Sequence, residues 1–287
     1  MKTLTQKARL YWKLIKSLQT GLLMITGLAG YMSAKCPIFH LPTLFALTGS
    51  LFLSISGSTI LNMVWDSDID SLMQRTSRRP LPSGEVSKLE ASMVGGLLGL
   101  LGIGWAILID LNFGLLIAAG VFFDVIIYTV LLKRRTPYAI LIGGLAGGMP
   151  ALAGRTLAVG SVDLVGLLLM LGVLLWIPTH IMTFSIKYQA DYAQAGIPTF
   201  PSLYGVKATR RIVAVSTILA VLVLFTVGRW IGLSASLLTG LGVVGALLSL
   251  LVLLSLFESH ARLTTVLYKG ASVYMLASMI LIIAQAW

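Results

Sequence analysis

Charge is scarce in this chain: Asp, Glu, Lys and Arg make up 11% of 287 residues, and the acids number only 10. Cysteine is scarcer still. Cys36 stands alone, which excludes an internal disulfide and any multi-cysteine metal site and leaves apolar packing as its expected role. Low-complexity linkers, heptad runs and self-similar repeats are missing, so residues 1–287 read as a single domain. No serine is paired with a base at useful spacing, and covalent catalysis is not expected.

Apolar residues are abundant instead. They make up 57% of the chain, the mean hydropathy is +0.94, and no soluble core could absorb that much apolar surface. The expected solvent is a bilayer. A spanning helix needs roughly 20 mostly apolar residues, and nine stretches qualify, near 14–34, 42–64, 88–110, 112–132, 138–158, 163–186, 209–228, 232–256 and 267–286. The fold class read from this pattern is all-α, a polytopic membrane protein of nine helices.

The net charge of +11 raises nucleic acid as a partner, but its distribution argues for topology instead. Of 21 Lys and Arg residues, 18 fall in the N-terminus and alternate connections, while only Lys35, Arg155 and Arg229 fall in the other set. The positive-inside rule then puts the N-terminus in the cytoplasm and, with an odd number of spans, Trp287 outside. The first span resembles a signal peptide, but Met32 sits where a small residue is wanted before a cut after Ala34, so cleavage is not expected.

Two inner loops, roughly 66–87 and 187–208, are long and polar, whereas the outer turn from Asp110 to Asn112 is tight. Long loops in a compact bundle tend to carry function. The first follows N-M-V-W-D-S-D-I-D, where Asn62, Asp66 and Asp70 are spaced i, i+4, i+8 and share one face of a continuing helix, with Asp68 turned away. Acids at the end of an apolar span are costly unless something cationic neutralises them. Mg²⁺ binds through one or two carboxylates plus phosphate oxygens, and Arg75, Arg78 and Arg79 follow closely, with guanidinium groups suited to phosphate. Acid, metal and arginine together describe a diphosphate site. The plainer alternative is a solvated loop whose acids pair with those arginines.

The second loop follows W-I-P-T-H-I-M-T-F-S-I-K-Y-Q-A-D, where His180, Lys187 and Asp191 form one stripe if the helix persists. Asp191 is placed to complete a metal contact opposite the first, and Lys187 to hold a phosphate or an acceptor carboxylate as a point charge. His180 lies about 10 Å inside the span from Lys187 and reads either as a ligand or as a hydrogen-bonded packing residue. Asp124 and Tyr128, one turn apart, read equally as a buried hydrogen-bonded pair or as cavity residues. Lys133, Arg134 and Arg135 anchor topology, with one of them in reach of a diphosphate. Glycines such as Gly95, Gly96, Gly147 and Gly148 let helices approach closely, whereas Gly143 to Pro150 is expected to loosen its helix.

Taken together, these residues resemble the UbiA superfamily of intramembrane prenyltransferases, whose N-x-x-x-D-x-x-x-D motif matches Asn62, Asp66 and Asp70 without a gap. The resemblance covers essentially the whole chain. Within the superfamily, four stretches in order, D-S-D-I-D-S-L-M-Q-R-T-S-R-R-P-L-P-S-G, Y-T-V-L-L-K-R-R-T-P, I-G-G-L-A-G-G-M-P-A-L-A-G and P-x-H followed by K-x-x-x-D-Y-x-x-A-G-I-P, are most similar to the heme O synthase (protoheme IX farnesyltransferase) family. The resemblance implies nine helices around a central cavity, with Mg²⁺ held by Asp66, Asp70 and Asp191. It implies that Asn62, Arg75, Arg79, Tyr128, Lys133, Arg134, His180 and Lys187 contact substrates. The implied substrates are farnesyl diphosphate and heme b, joined at the heme vinyl group with water supplying a hydroxyl. Membrane lipid surrounds the chain in that reading, and a heme-copper oxidase assembly or heme A synthase is the implied protein partner.

Departures fall near the acceptor side. The family's two prolines before the histidine appear here as Pro178-Thr179, Met-Leu as Thr199-Phe200, and the first-helix Lys-Pro as Lys16-Ser17. Tyr188 and Ala190 stand where quinone-pathway relatives carry aspartates. An aromatic quinone precursor or an isoprenoid glycerol is the alternative acceptor. An ion-coupled transporter is a reading of another class, but its acids would lie along a path through several helices.

Overall fold

A computed structural model describes residues 4–34, 40–257 and 261–285; Lys2, Lys35, Cys36 and Trp287 lie outside them. Those residues form α1 (Leu4–Leu14), α2 (Ser17–Met32), α3 (Leu41–Trp65), α4 (Ser67–Leu72), α5 (Lys88–Ile109) and α6 (Leu111–Phe122), the last running on as a π-helix over Phe123–Leu132. Then come α7 (Ala139–Val159), α8 (Leu164–Lys187), α9 (Gln189–Gln194), α10 (Phe200–Ile231), α11 (Ala235–Phe257) and α12 (Ala261–Ala284). The chain is an all-α integral membrane protein.

Eight of the described helices are long and apolar enough to cross a bilayer, and they correspond to the last eight of the expected nine spans. The expected first span differs. Lys16 takes a left-handed φ of 46°, which splits it into α1 and the sixteen-residue α2, about 24 Å long at the rise of an α-helix. An L-residue accepts that conformation only where its surroundings hold it.

Caps explain where the turns before α6 and α8 fall. Asp110 accepts from the Phe113 amide at 2.8 Å and so starts α6 directly after α5. Asp163 accepts from the Gly166 amide at 2.8 Å to start α8, and Arg155 grips the same carboxylate at 2.8 Å while donating to the Ser33 carbonyl at 2.6 Å. Each satisfies a helix end that would otherwise leave unpaired amides.

Without a hydrophobic drive between helices in lipid, small residues set how closely they approach. A Cβ added at Gly154 would stand 1.9 Å from the Gly27 carbonyl oxygen, and one at Gly30 would stand 2.0 Å from that of Ala151. Here α2 and α7 cross backbone to backbone. The Gly143 to Pro150 stretch, expected to loosen its helix, lies within the unbroken α7. Around a central space stand α2, α3, α6 with its π-helical extension, α7, α8 and α12, while α5 backs α3, α10 backs α8, and α11 packs on α10 and α12.

Candidate active site

The helix at Asn62 does continue through the acids. Asp66 donates its amide to the Asn62 carbonyl at 2.9 Å and Asp70 donates to Asp66 at 2.8 Å, so backbone i to i+4 bonding carries across from α3 into α4 and aligns the three side chains. All three are buried, whereas the Asp68 side chain is 56% exposed. That matches the face expected from spacing.

Each acid has met a cation. Arg79 Nη1 lies 2.7 Å from Asp70 Oδ2, and Lys133 Nζ hydrogen-bonds Asp66 Oδ2. Arg134 forms a two-pronged pair with Asp68, both contacts at 2.7 Å, and also donates to the Trp65 carbonyl. The hydrogen bond from Arg134 is the first cause that holds the Asp68 carboxyl below its usual range. The basic run after Tyr128 is therefore drawn onto the acidic helix, two of its three members by direct ion pairs. Asp66 Oδ1 remains buried and, among the described residues, without a partner.

Arg75 takes a different position. Its guanidinium stands 4.8 Å from the centre of the Phe184 ring, on the last turns of α8, and 5.3 Å from that of Tyr188, at the start of the second loop, a cation–π arrangement. Ile69 and Met73 pack with Ile197, partly buried Tyr192 joining them, so the two long loops meet as one unit. Burial raises the Tyr192 hydroxyl above its usual range, and Arg75, Lys133 and Arg79 act on it electrostatically.

The stripe expected at His180, Lys187 and Asp191 does not persist. Tyr188 has φ −111° and ψ 32°, which ends α8 at Lys187 and sets Asp191 on the separate short α9. Lys187 is exposed, its Nζ 5.3 Å from the Tyr188 ring, and Asp191 is half-buried. Among the described residues no three of His, Cys, Asp and Glu gather closely enough to hold a metal ion. His180 is deep in the bundle. Its ring stacks 5.0 Å from Trp176 and lies 4.6 Å from Tyr268, with Nδ1 3.1 Å from Ser272 Oγ.

Below the acids opens a cavity of about 970 Å³. Asn62, Asp124 and Tyr128 form part of one side, and Trp176, His180 and Tyr268 part of another. Sequence reasoning left Asp124 between two roles and passed over Ser58 and Thr129. In the fold Asp124 Oδ2 accepts from Ser58 Oγ and, at 2.7 Å, from Asn62 Nδ2, while Thr129 Oγ1 donates to Asn62 Oδ1 at 2.9 Å. Tyr128 packs against Gly143, where a Cβ would lie 2.5 Å from its ring. Lys16, noted in the sequence only as a departure, also lines the cavity.

Residues 23–283 match the UbiA prenyltransferase family. The chain belongs to that family. Among curated relatives, it is 42% identical over 218 residues to the protoheme IX farnesyltransferase of Korarchaeum cryptofilum, covering 75% of this chain and 74% of the relative. It is 42% identical over 202 residues to the same enzyme of Archaeoglobus fulgidus, with 70% and 71% covered. Among solved structures, a digeranylgeranylglyceryl phosphate synthase superposes with a TM-score of 0.80 at 20% identity, over 98% of this chain and 99% of that one. A UbiA homolog from Archaeoglobus fulgidus, bound to GPP and Mg²⁺, superposes with a TM-score of 0.70 at 16% identity, over 96% and 99%. The UbiA fold is thereby shared across chains of low identity.

Proposed function

We propose that this UbiA-family enzyme transfers a farnesyl group from farnesyl diphosphate to a vinyl group of heme b, giving heme O. The observation that carries this reading is the 42% identity to protoheme IX farnesyltransferases over about three quarters of both chains. Supporting it, a cavity of about 970 Å³ exceeds most pockets for drug-sized ligands, as a macrocycle and a fifteen-carbon chain together require.

Mg²⁺ fits the residues present. Asp66 Oδ1 is a buried oxygen without a partner among the described residues, and Asp66 and Asp70 stand one turn apart, which suits a metal that uses one or two carboxylates. Asp66 and Asp70 would hold the ion with Asn62 as a polar neighbour, and Asp191, which does not gather with them among the described residues, would join them from the facing loop only once the ion and diphosphate are bound. When bound, Mg²⁺ neutralises charge on the departing diphosphate. Arg75, Arg79, Lys133, Arg134 and Lys187 supply the remaining positive charge, fixed in advance of the reaction. Tyr128 borders the allylic carbon. His180, in its aromatic stack, borders the acceptor, and the apolar cavity delays hydrolysis of the allylic cation. The distribution of Lys and Arg supports an N-terminus facing the cytoplasm, with the chain in the cell membrane.

The test is direct. Membranes carrying the full chain are incubated with heme b, farnesyl diphosphate and Mg²⁺, and the porphyrins are weighed by mass spectrometry. A farnesylated, hydroxylated heme is expected. A prenylated quinone precursor or prenylated glycerol phosphate instead, with heme unchanged, would reverse the assignment of the acceptor.

A further inference from the structure

We propose that Asp124 is the general base that takes the proton from the water added during the transfer. This rests on the heme reading above and deepens it.

Asp124 differs from the acids around it. Asp66, Asp68 and Asp70 are each tied to a Lys or Arg, but among the described residues Asp124 forms no ion pair. Only neutral donors hydrogen-bond it, Ser58 Oγ and Asn62 Nδ2, and both go to Oδ2, while Lys16 acts on it electrostatically from the wall of the same cavity. Oδ1 carries no hydrogen bond among the described residues. A carboxylate fixed through one oxygen with the other free is oriented and still able to accept a proton, and it sits on the cavity wall. Ionisable groups in that position are functional candidates. The segment that carries it is π-helical, a form that concentrates at functional sites.

Its depth suits the step. Ser58 and Asn62 precede Asp66 on α3 by eight and four residues, about 12 and 6 Å along the axis. Asp124, held between them, therefore lies on the cavity side of the proposed diphosphate site, where the acceptor must meet the allylic carbon. In the reaction the C–O bond of the allylic diphosphate breaks and its electron pair leaves with the diphosphate. The vinyl π pair forms the new C–C bond, leaving positive charge on the carbon attached to the macrocycle. A water oxygen bonds to that carbon and its proton passes to Asp124 Oδ1, from which solvent recovers it. No oxidant or further reactant is needed.

Without a base, the same cation loses a proton from carbon and gives an alkene lighter by one water. Asp124→Asn keeps an oxygen to accept from Ser58 and Asn62 but removes the base. The full-length variant is supplied with heme b, farnesyl diphosphate and Mg²⁺, and released diphosphate and porphyrin masses are followed together. Diphosphate release is expected within a few-fold of wild type, hydroxylated product about a hundredfold lower, and the dehydrated product in its place; Asp124→Glu, which restores a carboxylate, should recover part of the hydroxylated product. Unchanged hydroxylation in Asp124→Asn overturns the proposal. So does parallel loss of diphosphate release and product in both variants, which would make Asp124 a support for Asn62. Loss of hydroxylation in His180→Gln but not in Asp124→Asn would assign the base to His180. A wild-type chain that releases diphosphate but never alters heme would overturn the heme reading itself.

Discussion

The acidic end above the cavity and the aromatic wall within it are built on opposite principles. At the acidic end every buried carboxylate of the motif meets a cation, Asp66 with Lys133 and Asp70 with Arg79. At the aromatic end Trp176, His180 and Tyr268 form a stack held to α12 by neutral hydrogen bonds, the Trp176 indole donating to the Ala271 carbonyl at 2.7 Å and the imidazole meeting Ser272. The first end is assembled by charge, the second by shape. In the proposed reading a diphosphate meets the former, because desolvated cations already in place need no reorganisation when negative charge grows. In the same reading a flat acceptor meets the latter, since ring faces offer area and little directionality. Damage at one end should therefore change a different kinetic quantity from damage at the other.

The largest effect is expected at the acidic end. Asp66→Ala removes a carboxylate that pairs with Lys133 and carries the free buried oxygen Oδ1. Turnover should fall by about a thousandfold or more, as when charge stabilisation of a leaving group is lost, while the protein still inserts and purifies as wild type does. Diphosphate release and monodispersity in detergent check the two halves. An Asp66→Ala chain that keeps a tenth of its turnover would remove Asp66 from the metal site and erase the contrast between the two ends.

His180→Ala should act more weakly and on the acceptor alone. It deletes the middle ring of the stack between Trp176 and Tyr268, and aromatic pairs contribute about 0.5–1.5 kcal/mol beyond area burial. The KM for heme is expected to rise up to about tenfold, with the KM for farnesyl diphosphate unchanged. Equal changes in both would mean that the two ends are not separable, and steady-state kinetics with each substrate varied in turn decides it.

The acidic end was legible because its information is local. Asn62, Asp66 and Asp70 lie on one helix, and an i, i+4, i+8 spacing needs only that helix to continue, which its backbone bonds show it does. The aromatic end is not local. Tyr268 and Ser272 lie on α12, far in sequence from His180, and nothing in the spacing of α8 points to them. The expected stripe through Asp191 failed for a local reason that sequence did not disclose, the non-helical backbone at Tyr188. Likewise the split of the first span depends on a left-handed Lys16, a conformation unusual for a residue other than glycine. The basic run at Lys133 and Arg134 was read as a topology anchor with a diphosphate in reach; its pairing with Asp66 and Asp68 needs the close approach of α3 and the π-helical segment.

The smallest effect concerns the rim of the acidic end. Asp68 lies on the motif helix but faces away from Asn62, Asp66 and Asp70, and its side chain is 56% exposed beside Arg134. Arg134 holds its carboxyl below the ordinary value of 3.8. A carboxylate depressed in the folded state contributes stability that is present above its unfolded value and is lost as pH falls through the folded one. Wild type should therefore melt slightly above Asp68→Asn in detergent at neutral pH, and the gap should stay level down to about pH 4 and close below it. Solvent screens an exposed pair, so the gap is small, and turnover of Asp68→Asn should stay near wild type. The absence of any gap at neutral pH would show that Arg134 anchors the helix end through its bond to the Trp65 carbonyl and not through Asp68. An Asp68→Asn chain without turnover would extend the charged end of the cavity outward to its rim.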